Sequence, residues 1–277
     1  MPTTRFAPSP TGYLHLGHAY SALFAARAAA EGQFLLRIED IDPIRCKPEF
    51  TEAIFEDLHW LGLTWPQPAR QQSQHIADYT AALDKLRAQN LVYPCFCTRR
   101  DIEQEAQKSA HAPHADDGTP LYPGTCRHLS SAERADKLAQ YKQANWRLDT
   151  EAAQKITGPL FWHDREKGRV EATPQLFGDV VLARKDVPTS YHLSVTVDDH
   201  LQAITLVTRG QDLFTSTHIH RLLQALLGFE TPEYHHHALL QDASGRRYAK
   251  RDQSVTLRTL RAQGETPHSI LKKLALT

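Results

Sequence analysis

Few architectures accommodate the first 38 residues. Thr3 to Ala7 reads as a short strand. Pro8-Ser9-Pro10-Thr11-Gly12 must be an irregular loop, because two prolines and a glycine break both regular periods. Gly17 to about Glu31 is alanine-rich, with Leu16, Tyr20, Leu23 and Phe24 near one face, and predicts a helix that Gly32 would cap. Gln33 to Ile38 predicts a buried strand. Strand, phosphate-sized loop, helix and strand make a βαβ unit. The first third therefore begins a parallel sheet of the doubly wound kind, which takes its ligands at the carboxyl ends of its strands.

Helical patterns at Pro48 to Leu61 and Gln74 to Gln89 continue this alternation. From about Leu91 to Phe177 the pattern changes to cysteines, histidines, prolines and a polar stretch from Gln104 to Thr119, as in an inserted domain. Val180 to Ala183, Val195 to Val197 and Ala203 to Thr208 then resemble short strands, and Ser216 to Leu227 predicts an amphipathic helix. A turn at Asp242-Ala243-Ser244-Gly245 leads into a basic loop, Arg246 to Arg251, and the residues beyond Arg251 have room for one or two short helices. The expected division is 1–90 and 179–240 for the two halves of the core, 91–178 for the insertion, and 241–277 for the loop and a helical end.

With 277 residues, 41% of them hydrophobic, the chain can bury a nucleotide-binding core plus one insertion and is too apolar to be disordered. No stretch approaches the roughly 18 apolar residues of a membrane span, and Met1 to Arg5 leads into prolines rather than a signal core. A cytoplasmic protein without a membrane partner is expected. Lys plus Arg and Asp plus Glu both number 32, so any RNA contact must come from local patches, for which Arg99, Arg100, Arg127 and Arg147 are candidates.

His15 and His18 fall on the same side of a first helical turn, where backbone N–H groups already attract phosphate. They could bind an ATP phosphate and stabilise charge at the α-phosphorus; plain capping is the alternative. Cys95, Cys97 and Cys126 offer three thiolates, which in a reducing compartment favour a metal over a disulfide, with His128, His111 and His114 available as fourth ligands. Cys46 stands apart. The run Tyr234-His235-His236-His237 looks metal-like, but alternation along a strand would split its side chains between two faces.

Arg5-Phe6-Ala7-Pro8-Ser9-Pro10-Thr11-Gly12 followed by His15-Leu16-Gly17-His18 resembles the HIGH signature of class I aminoacyl-tRNA synthetases in its glutamate-specific form. Ile38-Glu39-Asp40-Ile41-Asp42, Val197-Asp198-Asp199-His200 and Arg209-Gly210-Gln211-Asp212 resemble further segments of that family. Arg247-Tyr248-Ala249-Lys250-Arg251 stands where the family has its KMSKS loop, with Arg247 and Ala249 as departures. The resemblance implies an α/β fold: the doubly wound Rossmann catalytic core of class I synthetases, with an inserted zinc-bearing subdomain and no anticodon-binding domain.

It also implies a glutamate site. Two carboxylates and an ammonium need two cations and an anion, which Arg5, Arg209 and Glu39 supply; by the family pattern Ser9 and Tyr191 complete the pocket, with Phe6, Ala7 and Pro8. His15, Gly17, His18 and Lys250 would bind ATP, with Mg2+, and His15, His18 and Lys250 would be catalytic. The pattern C-x-C…Y-x3-C resembles a short glutamyl-synthetase-like subfamily in which Cys95, Cys97, Tyr122 and Cys126 would hold one structural zinc ion. Members of that subfamily attach glutamate to the queuosine base of tRNA(Asp), and the chain's end after Leu257 to Thr277 leaves no room for an anticodon-binding region. The implied activity is ATP-dependent activation of L-glutamate and its transfer to queuosine, by a monomer. The alternatives are charging of tRNA(Glu) and a non-catalytic glutamate- or RNA-binding paralogue.

Overall fold

The computed structural model describes residues 1–108, 121–240 and 255–276. The expectations for His111, His114, the turn at Asp242 to Gly245 and the loop containing Lys250 lie outside these residues. In chain order the elements are β1 (Thr3–Phe6), α1 (Leu16–Ala29), β2 (Gln33–Ile38), α2 (Pro48–Trp60), β3 (Arg70–Gln71), α3 (Ile76–Ala88), β4 (Val92–Cys95), α4 (Arg99–Lys108), α5 (Ser131–Tyr141), β5 (Asn145–Leu148) and α6 (Thr150–Thr157). Next come β6 (Phe161–Asp164), β7 (Gly168–Glu171), β8 (Val181–Ala183), α7 (Tyr191–Leu201), β9 (Leu206–Gly210), α8 (Thr217–Leu227), β10 (Glu233–His237), α9 (Leu257–Ala262) and α10 (Pro267–Lys273).

β1, β2 and β3 pair in parallel. β9, β10 and β6 also run parallel, with β7 antiparallel on the outer edge. The two sheets meet where β9 lies beside β1: Thr205 N donates to Thr3 O at 3.0 Å, and Thr205 O accepts from Glu233 N at 2.9 Å. The first strand of the chain thus has β2 on one side and β9 on the other, which is the topological switch point of a doubly wound sheet. β4, β5 and β8 form a separate antiparallel sheet. β6 and β7, although inside residues 91–178, belong to the sheet of β9 and β10, whereas β8 pairs with β5.

α1 packs on β1 and β9 through Ala19, Ala22, Leu23, Ala25 and Ala29, small side chains that let helix and sheet approach closely. Gly32 is not the cap of this helix. Ala30 takes that place with φ 49°, and Gly32 is needed because a Cβ there would lie 2.0 Å from Pro2 O. Val195 to Val197 is not a strand but part of α7. Every residue from Leu193 to Asp199 is buried, so the segment has no polar face to reveal a helical period, and its valines suggested a strand. The C-terminal segment forms two short helices, which seat Leu257, Leu260, Ile270 and Leu274 against α1 and α2.

Two adjacent carboxylates on α7 tie these elements together. Asp198 accepts from Arg70 Nε at 2.7 Å, Gln72 Nε2 at 2.8 Å and Tyr79 Oη at 3.0 Å, and lies 3.7 Å from Arg37 Nε. Asp199 Oδ1 accepts from Arg5 Nε and Arg37 Nη1, both at 2.9 Å. Asp198 and Arg37 are both fully buried. Removing one member of such a pair strands its partners in low dielectric. Asp198→Ala should therefore cost about 3 to 5 kcal/mol, seen as a lower urea midpoint, while Asp186→Ala, which breaks the exposed pair with Arg184, should leave the midpoint nearly unchanged.

Candidate active site

A cavity of about 680 Å³ opens at the carboxyl ends of β1, β2, β9 and β10, walled by the first turn of α1. It is lined by Arg5, Phe6, Ala7, Pro8, Ser9, His15, Gly17, His18, Glu39, Tyr191 and Arg209, so the residues expected for glutamate and ATP within the described segments share one space. Thr208 and Asp212, from the family-like segment around Arg209, line it as well, and so do Tyr20, Ser21, Val195, Leu213 and His237, which were not anticipated there.

The two histidines are caps, and the capping sets their chemistry. His15 is the N-cap of α1: its Nδ1 accepts from Gly17 N at 3.1 Å, and His18 Nδ1 accepts from His15 N at 3.2 Å. The ring centroids are 3.8 Å apart. An imidazole that accepts at Nδ1 carries its proton at Nε2, so both rings have donor tautomers suited to an oxyanion. Capping and phosphate binding use different nitrogens and do not compete.

The arginines differ in how their charge is met. Arg5 donates from Nε and Nη2 to the carboxylate of Asp199, at 2.9 and 3.2 Å, and from Nη1 to Thr208 O at 3.0 Å. Arg209 is only 6% exposed, yet its donors reach Tyr191 Oη (3.2 Å), His220 Nδ1 (3.1 Å), His236 Nε2 (3.1 Å) and Thr217 Oγ1 (2.6 Å), all neutral. Among the described residues no carboxylate pairs with it. Glu39 lies 3.5 Å from Arg37, and burial pushes its carboxyl up to about 7 against the opposing pull of Arg37 and Arg5. The cavity thus holds a buried cation without a counter-ion and a half-titrated anion, a distribution that a zwitterion bearing an extra carboxylate would complete. Asp199, Thr217, His220 and His236 were missed as site-forming residues; the Asp198-Asp199 motif was visible in the sequence, but its partners lie on other elements.

Cys95, Cys97 and Cys126 bring their Sγ atoms within 4.8 Å of one another. Cys97 Sγ lies 3.6 Å from Cys126 Sγ and 3.8 Å from Tyr122 Oη, which accepts from Cys126 N at 2.7 Å. Thiolates in a tetrahedral site with bonds of about 2.3 Å sit about 3.8 Å apart, so this donor set fits a metal ion. Hydrogen bonds from Cys95 and Cys97 hold the Cys126 thiol far below its usual range, which favours a thiolate ligand. His128 is not a member of the group. Cys46 stands apart, half-buried, with its thiol against Glu39 O.

Two of the four arginines expected to face RNA are engaged internally. Arg147 donates to Asp179 O and stacks over Tyr122, and Arg127 lies 3.5 Å from the buried Asp179; Arg99 and Arg100 are exposed on α4. Along β10 the side chains split as alternation requires. Tyr234 and His236 stack on one face, while His235 and His237 pack against Phe24 on the other.

The switch-point cavity beside a histidine-capped helix has the form of a nucleotide-binding catalytic site, and residues 2–277 match the family model for tRNA synthetases class I (E and Q), catalytic domain. The chain belongs to this family, and within it to the group of proteins named Glutamyl-Q tRNA(Asp) synthetase: it is 48% identical over 282 residues to the one from Rhodobacter capsulatus, covering 99% of each chain. A second, from Nocardia farcinica, is 43% identical and aligns with 98% of this chain and 82% of its own. A Glutamate--tRNA ligase 2 of Dinoroseobacter shibae is 39% identical over 99% of this chain, which spans 61% of that ligase. Among solved structures, the glutamate tRNA ligase of Elizabethkingia meningosepticum in complex with its amino acid superposes with a TM-score of 0.80 at 25% identity. That match covers 99% of this chain and 60% of the ligase.

The Glu39 shift fixes a sign. Its folded pKa lies above its unfolded one, so its contribution to stability is present at low pH and is lost as pH rises from about 4.5 to about 7. Glu39→Gln, which mimics the protonated form, should therefore be more stable than wild type at pH 8 by an amount on the order of 3 kcal/mol and equal to it below about pH 4.5. Urea unfolding at several pH values measures the gap.

Proposed function

We propose that the protein activates L-glutamate with ATP and transfers the glutamyl group to the queuosine base at the wobble position of tRNA(Asp). The observation that carries this reading is Arg209, a buried cation with neutral partners, in the same cavity as Glu39 and the capped terminus of α1. The substrate ammonium goes to Glu39. The α-carboxylate must reach the α-phosphorus at the helix terminus, so the side-chain carboxylate is left for Arg209, with Tyr191 beside it. Arg5, already held by Asp199, shapes the floor with Phe6, Ala7, Pro8 and Ser9.

An oxygen of the α-carboxylate attacks the α-phosphorus, and pyrophosphate leaves. The Nε2–H groups of His15 and His18, with backbone N–H groups near Gly17, meet the charge that develops there. Lys250 accompanies the β- and γ-phosphates, whose charge Mg2+ bound with the ATP also offsets. A hydroxyl of queuosine then attacks the carbonyl carbon of the adenylate, AMP departs, and no protein nucleophile is required. The identity to proteins named for queuosine-bearing tRNA(Asp), 48% against 39% for the Dinoroseobacter glutamate ligase, supports that acceptor over tRNA(Glu). Cys95, Cys97, Tyr122 and Cys126 hold one structural zinc ion in the insertion, and the protein works as a cytoplasmic monomer.

ATP–pyrophosphate exchange without RNA tests the first half-reaction: exchange with glutamate, little or none with glutamine, and loss in Lys250→Ala are expected. Labelled glutamate should then appear on queuosine-containing tRNA(Asp) and not on tRNA(Glu). Exchange that requires tRNA(Glu) would instead mark a glutamate–tRNA ligase, and no exchange under any condition would mark a binding paralogue. Metal analysis should find one zinc per chain, lost in Cys97→Ser and more readily stripped by chelator in Tyr122→Phe.

A further inference from the structure

From Arg209 in the cavity wall a line of hydrogen bonds runs back through His236 to Asp164, neither of which lines the cavity, and crosses three neighbouring strands. Asp164 ends β6, His236 lies on β10, and Arg209 lies opposite His236 in the register of β9. Asp164 is fully buried and is committed as an acceptor on both oxygens. Oδ1 takes the N–H groups of Glu166 (3.0 Å) and Lys167 (3.1 Å), and Oδ2 lies 2.6 Å from His236 Nδ1. A carboxylate can only accept, so His236 carries its proton on Nδ1 and turns the lone pair of Nε2 toward Arg209, whose Nε–H donates into it at 3.1 Å. Arg209 Nη1 donates to His220 Nδ1, which in turn leaves His220 Nε2–H to donate to His192 Nδ1 at 3.1 Å.

The consequence is electrostatic. Had the strand offered Arg209 a carboxylate, the guanidinium would be oriented and neutralised at once, as Asp199 does for Arg5. An imidazole orients it and leaves its charge uncompensated, while the Asp164 carboxylate stays one ring farther away. Burial, assisted by the charge of Arg209, holds His236 and His192 down at about 4 and His220 well below its usual range, so all three remain neutral acceptors at physiological pH.

We propose that His236, keyed by Asp164, is a positioning residue that holds Arg209 as an uncompensated cation for the side-chain carboxylate of the amino-acid substrate. This rests on the glutamate reading of the site. Asp164→Asn isolates the idea. The two backbone N–H groups of the β6–β7 turn retain the amide oxygen, so the NH2 group must face His236, its tautomer inverts, and Nε2–H then opposes Arg209 Nε–H.

Exchange kinetics on the full chain should show the KM for glutamate rising about 10- to 100-fold in Asp164→Asn, with the KM for ATP and the melting temperature little changed. His236→Gln, which keeps an oxygen acceptor facing Arg209, should recover most of that loss, and His236→Leu should not. Independently of activity and of any variant, long-range nitrogen NMR of the wild type should find the His236 proton on Nδ1. A proton on Nε2, an unchanged KM for glutamate, or an equal rise for glutamate and ATP would overturn the proposal. If the wild type itself shows no glutamate-dependent exchange, the proposed function falls and takes this inference with it, an outcome visible before any variant is compared.

Discussion

Asp198 and Asp199 hold the two halves of this molecule to each other. They stand side by side on α7, yet one faces Arg70, Gln72 and Tyr79 while the other joins Arg5 of β1 to Arg37 of β2. Hydrophobic contact alone would bring α7 against the sheet in several rotational settings of similar energy. Buried ion pairs with fixed hydrogen-bond directions leave one, because any other would strand a guanidinium away from water. With that setting the end of β1 lies beside the end of β9, and the cavity has its shape.

The same network sorts the charges of the site. Arg5 and Arg37 are neutralised within the fold, so they act as structure as much as recognition. Arg209 is held by imidazoles and hydroxyls, and Glu39 is buried far enough to be reluctant to ionise. Both states are unfavourable in isolation, and the proposed zwitterionic substrate would improve both. The free protein keeps this imbalance because a deep core elsewhere, around Ile54, Leu58 and Ile270 and around Leu86, Leu148 and Leu222, is large enough to tolerate it.

The βαβ opening was legible because prolines, a glycine and an alanine-rich run punctuate it unambiguously, and the strands on either side of α1 fall where that punctuation puts them. Local signals were also present and unread: Ser130 and Glu133 form a capping box that begins α5. What depends on distant partners was not legible. Val195 to Val197 looked like a strand because full burial erases periodicity. The place of β6 in the core sheet is set by β10, about 70 residues later, and no window of sequence contains both. Arg5, Glu39 and Arg209 were found by counting the charges a substrate would need and by family resemblance. The acceptors that make Arg209 different from Arg5 emerge only when β6, β9, β10 and α8 are brought together.

The cap of α1 has one more partner. Thr256 bridges His15, and Leu257 N donates to Leu14 O at 2.8 Å, so the backbone that aims the two imidazoles is stapled to the start of α9. α9 in turn is a short helix, held by Leu257 and Leu260 in the core, by Arg261 beside Glu56 at 2.9 Å and by Arg258 beside Tyr13. A helix of 6 residues has few hydrogen bonds of its own, so its place depends on those contacts. A change that loosened those contacts would cost the alignment of the two cavity-lining histidines while the sheet and charge network still stood, a failure of aim without a failure of fold.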